Sequence, residues 1–151
     1  MAALAVVMVV VGTTAGIWSM RRQVDAGFAQ EAHAFLTTPL FSMMAFAGFV
    51  GAAIVRRRDS PSHKRLMLLG TIGGLVPAAI GRLPIVGGRT PLVVLVFVVF
   101  LAAGPGFDRL TRGRIHPVGL WGGILAFLFV PARLAIGQTA WWQTFAAWLI
   151  R

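Results

Sequence analysis

Residues 35–58 read FLTTPLFSMMAFAGFVGAAIVRRR, and this stretch decides the fold class. No side chain from Phe35 to Val55 ionises, and three arginines, Arg56, Arg57 and Arg58, follow at once. An α-helix rises about 1.5 Å per residue, so a run of about 20 residues crosses a hydrocarbon core of roughly 30 Å. The stretch reads as a membrane-spanning helix whose cations stop it at the headgroup layer.

The same pattern recurs on either side. Apolar segments cover residues 1–19, 66–80, 91–103 and 117–136, each ending in polar or basic sequence. The chain is 58% hydrophobic and only 12% charged, with a mean hydropathy of +0.82. Soluble domains carry about a quarter charged residues, so this chain lacks the polar surface to cover a water-facing globule. The expected architecture is all-α, a single domain over residues 1–151. It is an integral membrane bundle of about five transmembrane helices with an interfacial C-terminal segment.

Small residues are spaced for close helix packing. Gly12 and Gly16, Gly48 and Ala52, Gly70 and Gly74, and Gly119 and Gly123 each stand four apart on one helix face. Pro77 is expected to bend the end of the third segment and Pro131 to kink the fifth. Segment 91–103 carries no such stripe until its end and reads as the most lipid-exposed helix. The serines of Asp59-Ser60-Pro61-Ser62 are placed to cap the helix that begins near His63. The tail, residues 138–151, holds Trp141, Trp142 and Trp148, which suits a helix at headgroup depth.

The net charge of +10 is not a nucleic-acid signal here, because the cations lie between apolar runs rather than on one face of a soluble fold. Eight of them (Arg56, Arg57, Arg58, Lys64, Arg65, Arg109, Arg112 and Arg114) fall in two dense loops on one side. The other six, Arg21, Arg22, Arg82, Arg89, Arg133 and Arg151, are scattered over the opposite side. The positive-inside rule then puts loops 56–65 and 108–116, with Met1, in the cytoplasm of a bacterial inner membrane. The tryptophan-rich tail falls outside.

Groups that could carry chemistry are few. The absence of cysteine excludes disulfides and thiolate sites, and no ionisable side chain sits mid-segment, which argues against a proton-coupled pump. No phosphate loop, nucleophile constellation or acidic metal cluster is present. His63 and His116 each open a helix on the same side. They make a b-type haem held between helices conceivable, although their basic neighbours suit an interfacial structural role. His33 reads as a loop residue. Arg82 and Arg133 lie near the opposite edge, where Asp25 and Glu31 would be their natural partners, or where they could snorkel.

His63-Lys64-Arg65-Leu66-Met67, then Asp108-Arg109-Leu110-Thr111-Arg112-Gly113-Arg114-Ile115-His116-Pro117 and Leu120-Trp121-Gly122-Gly123, resemble a family of uncharacterised bacterial multi-pass inner-membrane proteins. The likeness extends through Ile136-Gly137-Gln138-Thr139 to Trp148-Leu149 and covers most of the chain from Leu66 onward. It implies no established activity. It implies longer members with extra N-terminal helices and further histidines, against which this chain is expected to be a short member or to lack the first helices.

Together these readings lead to a non-catalytic expectation: a small structural or accessory membrane protein, contacting lipid and other subunits or its own copies, with no nucleic acid. A haem-binding electron-transfer protein using His63 and His116 is one alternative. A small-molecule permease is the other.

Overall fold

The computed structural model describes residues 2–80 and 90–149, and every element among them is helical. The helices are α1 (Ala2–Asp25), α2 (Ala29–Phe35), α3 (Thr37–Val55), α4 (Ser60–Gly70), a π-helical turn (Thr71–Leu75), α5 (Val76–Ile80), α6 (Thr90–Arg112), α7 (Pro117–Gly137) and α8 (Ala140–Leu149). Four spans are long and apolar enough to cross a membrane: Ala2–Asp25, Ala29–Val55, Pro91–Arg112 and Pro117–Gly137.

The expected third span, residues 66–80, lies inside a longer helical run from Ser60 to Ile80. Its start is polar, and the run is not among those four. The turn sits at Gly73–Gly74, where the Val76 N–H reaches back to the Thr71 carbonyl. Adjacent glycines make that wider turn cheap. They also admit a neighbour, since a Cβ at Gly74 would stand 2.7 Å from Phe46 Cβ and 2.9 Å from the Ser42 carbonyl oxygen. The run therefore lies directly against α3, with Gly70 opposite Val50 and Gly74 opposite Phe46.

Local sequence explains where the helices stop. Gly27 has φ +91°, and the Phe28 N–H bonds to the Gln23 carbonyl (3.0 Å) while the Gly27 N–H bonds to the Val24 carbonyl (2.9 Å). That is a Schellman ending, which only a left-handed residue closes comfortably. α6 ends in the simpler left-handed motif at Gly113, φ +67°, whose N–H bonds to the Arg109 carbonyl (3.1 Å), with Arg109 and Arg112 in its last turn complementing the helix dipole. α4 is capped by Asp59, whose side chain accepts from the Ser62 N–H at 3.4 Å. The expected serine cap is thus an aspartate cap, with Ser62 as donor.

Two other expectations change. The first part of the expected loop 108–116 is helical, because α6 continues through Gly104–Pro105–Gly106 to Arg112. The helix most open to its surroundings is α1 rather than α6. Only 6% of the α1 span is buried, against 17% for α6. Hydropathy alone does not distinguish the two; position does, because α1 meets the bundle mainly along α3.

Two cores sit at opposite ends. Phe49, Ala53, Leu66, Leu69, Ile72, Phe97, Leu101 and Ala126 gather toward the basic end, joining α3, α4, α6 and α7. Met20, Ala32, Leu36, Trp142 and Ala146 gather at the other, joining α1, α2 and α8. The tail is held there by Trp142, which is 5% exposed and donates from Nε1 to the His33 carbonyl at 2.8 Å. Trp141 and Trp148 remain 70% and 66% exposed, which leaves α8 with one aromatic face in the protein and one outside it. Residues 81–89, which include Arg82 and Arg89, and the side chain of Pro77 lie outside the described residues.

Candidate functional site

Residues 63–69, 108–117 and 119–122 come together at the basic end of the bundle. Arg65, on α4, meets Asp108, on α6, through two nitrogens. Nε donates to Oδ2 at 2.9 Å and Nη2 donates to Oδ1. The third nitrogen, Nη1, donates to the Pro61 carbonyl at 2.8 Å. Both side chains are largely buried, 15% exposed for Arg65 and 5% for Asp108. The fork geometry of guanidinium and carboxylate makes this the strongest kind of charged hydrogen bond.

α7 closes over the pair through small residues. A Cβ at Gly119 would lie 3.7 Å from Arg65 Cδ and 3.9 Å from Asp108 Oδ2, ordinary contact. One turn further, a Cβ at Gly122 would overlap Leu69 Cδ1. Arg65 and Leu69 are four apart on α4, and Gly119 and Gly122 three apart on α7, so each pair presents one face. Gly123 points into open space. Of the two adjacent glycines it is therefore Gly122 that lets α4 approach.

The histidines are occupied in different ways. His63 Nδ1 lies 2.7 Å from the Ala53 carbonyl oxygen, so the proton is on Nδ1 and the ring donates. The Arg57 N–H turns to the Ile54 carbonyl instead of that of Ala53. His63 thereby satisfies a carbonyl that the end of α3 would otherwise leave open. His116 is the N-cap of α7, where Nδ1 accepts from the Val118 N–H at 3.3 Å. Accepting there puts the neutral ring's proton on Nε2.

This difference bears on the haem reading. A histidine that ligates iron through Nε2 needs its proton on Nδ1, usually donated to a carbonyl. His63 has that arrangement; His116 has the opposite one and would have to give up its cap to ligate. Among the described residues no group of three or more His, Asp or Glu could hold a metal ion.

Two hollows open near this end of the bundle. A polar cleft of about 670 Å³ is lined by Asp59, Arg65, Arg112, Arg114 and His116 with Pro61, Ile115 and Pro117. An apolar groove of about 480 Å³ runs between α3 and α7.

At the far end, the expected cluster of Arg82, Arg133, Asp25 and Glu31 is not brought together among the described residues. Asp25 and Glu31 are exposed, and no ion pair joins either to Arg133; Arg82 lies outside the described residues. Arg133 Nε, Ser42 Oγ and His33 Nε2 are buried with no hydrogen-bond partner. Gly12 and Gly16 do meet a neighbour: a Cβ at Gly16 would stand 2.8 Å from Pro39, and one at Gly12 would overlap Met43.

Sequence reasoning missed the Arg65–Asp108 pair by counting Asp108 only as a loop charge. The available signal was a lone acid in an otherwise basic segment, Asp108-Arg109-Leu110-Thr111-Arg112-Gly113-Arg114. Such a residue reduces the positive bias of its loop and needs another reason to be there. Compared with protein families, curated proteins and solved structures, the chain finds no match.

Proposed function

We propose that the chain is a small structural or accessory subunit of a bacterial inner-membrane complex, with its basic end in the cytoplasm, and a member of the multi-pass family it resembles. The observation that carries this reading is how the polar groups at the basic end are used. Arg65 and Asp108 bind each other, His63 closes α3 and His116 opens α7. Side chains used in this way hold helices together rather than await a substrate.

Two measurements test it. Chain purified in a mild detergent should migrate as part of an assembly larger than one 16.2 kDa subunit with its micelle; a lone monomer contradicts a subunit role. Protein expressed with ample haem should show no Soret band. A Soret band that His63→Ala abolishes would replace this reading with the electron-transfer one.

A further inference from the structure

The groove between α3 and α7 is built from small residues that the helix packing does not use. Gly48 and Ala52 stand at the four-residue spacing of a packing face, yet both are exposed. A Cβ at Gly48 would meet nothing within 4 Å. Gly70 and Gly74, by contrast, are pressed against Val50 and Phe46. The open face is walled by Phe49, Leu125 and Phe129, with Trp121 beside it, and Arg56 closes its basic end. Among the described residues lining the groove none is acidic, and Arg56 is the one that is charged.

Length and charge both limit what fits. On α3 the lining runs from Arg56 to Met44, about 18 Å of helix at 1.5 Å per residue. One leaflet of a hydrocarbon core is about 15 Å deep. A groove of that length, open sideways, apolar along its wall and cationic at one end, has the dimensions and polarity of one lipid chain beneath an anionic headgroup. Arg57 and Arg58 follow Arg56 and raise the local positive potential.

We propose that this groove is a binding site for an anionic phospholipid, with one acyl chain along Gly48 and Ala52 and the phosphate on Arg56. The proposal rests on the reading that the basic end lies at headgroup depth. That reading is tested separately by cysteine labelling at position 57, so the two can fail independently.

The experiment is native mass spectrometry of the full chain, delipidated in a neutral detergent. It is titrated with phosphatidylglycerol, or with phosphatidylcholine of the same acyl chains. Wild type should retain one phosphatidylglycerol at concentrations where phosphatidylcholine is lost. Arg56→Gln should weaken phosphatidylglycerol by about fivefold, the worth of one basic residue at a headgroup, and leave phosphatidylcholine unchanged. Gly48→Leu, whose Cβ meets nothing within 4 Å, extends into the groove and should weaken both lipids, whereas Gly123→Leu, whose Cβ also meets nothing within 4 Å, lies outside the groove and should weaken neither. Equal retention of the two lipids by wild type overturns the site. So does wild-type phosphatidylglycerol binding by Gly48→Leu, or displacement of the lipid by millimolar inorganic phosphate alone. A Gly48→Leu variant that breaks up a dimer while lipid binding persists would make the groove a self-association face and overturn the proposal as well.

Discussion

Arg65 and Asp108 lie 43 positions apart in the chain and meet through two hydrogen bonds beneath the first turn of α7. The contact joins α4 to α6, and Gly119 brings α7 against both. Truncating one partner leaves the other charged, buried and alone, which costs about 3–5 kcal/mol. Asp108→Ala and Arg65→Ala should each lower the thermal midpoint of the purified protein markedly. Arg65→Met combined with Asp108→Leu should cost less than either alone, because no unpaired charge remains. A double variant as unstable as the sum of the singles would show that the two residues act separately.

His116 caps the start of α7, accepting from the Val118 N–H. His116→Ala should cost about 1 kcal/mol, the usual worth of an N-cap. His116→Asn should restore most of it, since asparagine can accept the same bond. A variant series in which asparagine is no better than alanine would point to a different use of the ring. Thermal melts followed by size-exclusion elution would resolve the difference.

The glycines divide by what stands opposite them. Gly74→Ala pushes a methyl group into Phe46 and the backbone carbonyl of Ser42, neither of which can rotate away, and overpacking of that kind costs about 1–3 kcal/mol. Gly122→Ala overlaps the end of the Leu69 side chain, which can rotate away, and makes ordinary contact with Phe49, so it should cost less. Gly123→Ala and Gly48→Ala should be neutral or slightly stabilising through helix propensity. Stability of the four single variants in one detergent orders them.

Such a division marks what the sequence could and could not reveal. Hydropathy and the Arg56–Arg58 stop made the helical membrane architecture legible, because burial in lipid leaves its pattern on composition. Spacing of small residues located faces but not neighbours, so Gly12, Gly16, Gly70 and Gly74 fit the expected close approach while Gly48 and Gly123 open outward. The π turn at Gly73–Gly74 and the Arg65–Asp108 pair were not legible. Both arise from which helix lies across from which, and no local pattern along the chain encodes that.

Asp59 gives a pH dependence with a definite sign. The Ser62 hydroxyl, and then the Ser62 N–H, hold its carboxyl below the ordinary value of 3.8. A group with a lowered folded-state value contributes stability that is fully present above its unfolded value and is lost as pH falls through the folded one. The start of α4 should therefore loosen only below about pH 4, seen as faster hydrogen exchange at Ser62 and His63. Asp59→Asn keeps the cap and should remove the pH dependence of that exchange. Persistence of the dependence in Asp59→Asn would assign it to another group.

The proposed orientation of the bundle can be measured most directly because the chain contains no cysteine to remove. Single variants Arg57→Cys and Gln138→Cys place one thiol at each end, both at exposed positions. With a membrane-impermeant maleimide applied to intact spheroplasts, Gln138→Cys should label at once, and Arg57→Cys only after the membrane is permeabilised. Labelling of Arg57→Cys in intact spheroplasts, with Gln138→Cys protected, would contradict the orientation. Labelling of both would contradict the claim that these helices span the membrane at all.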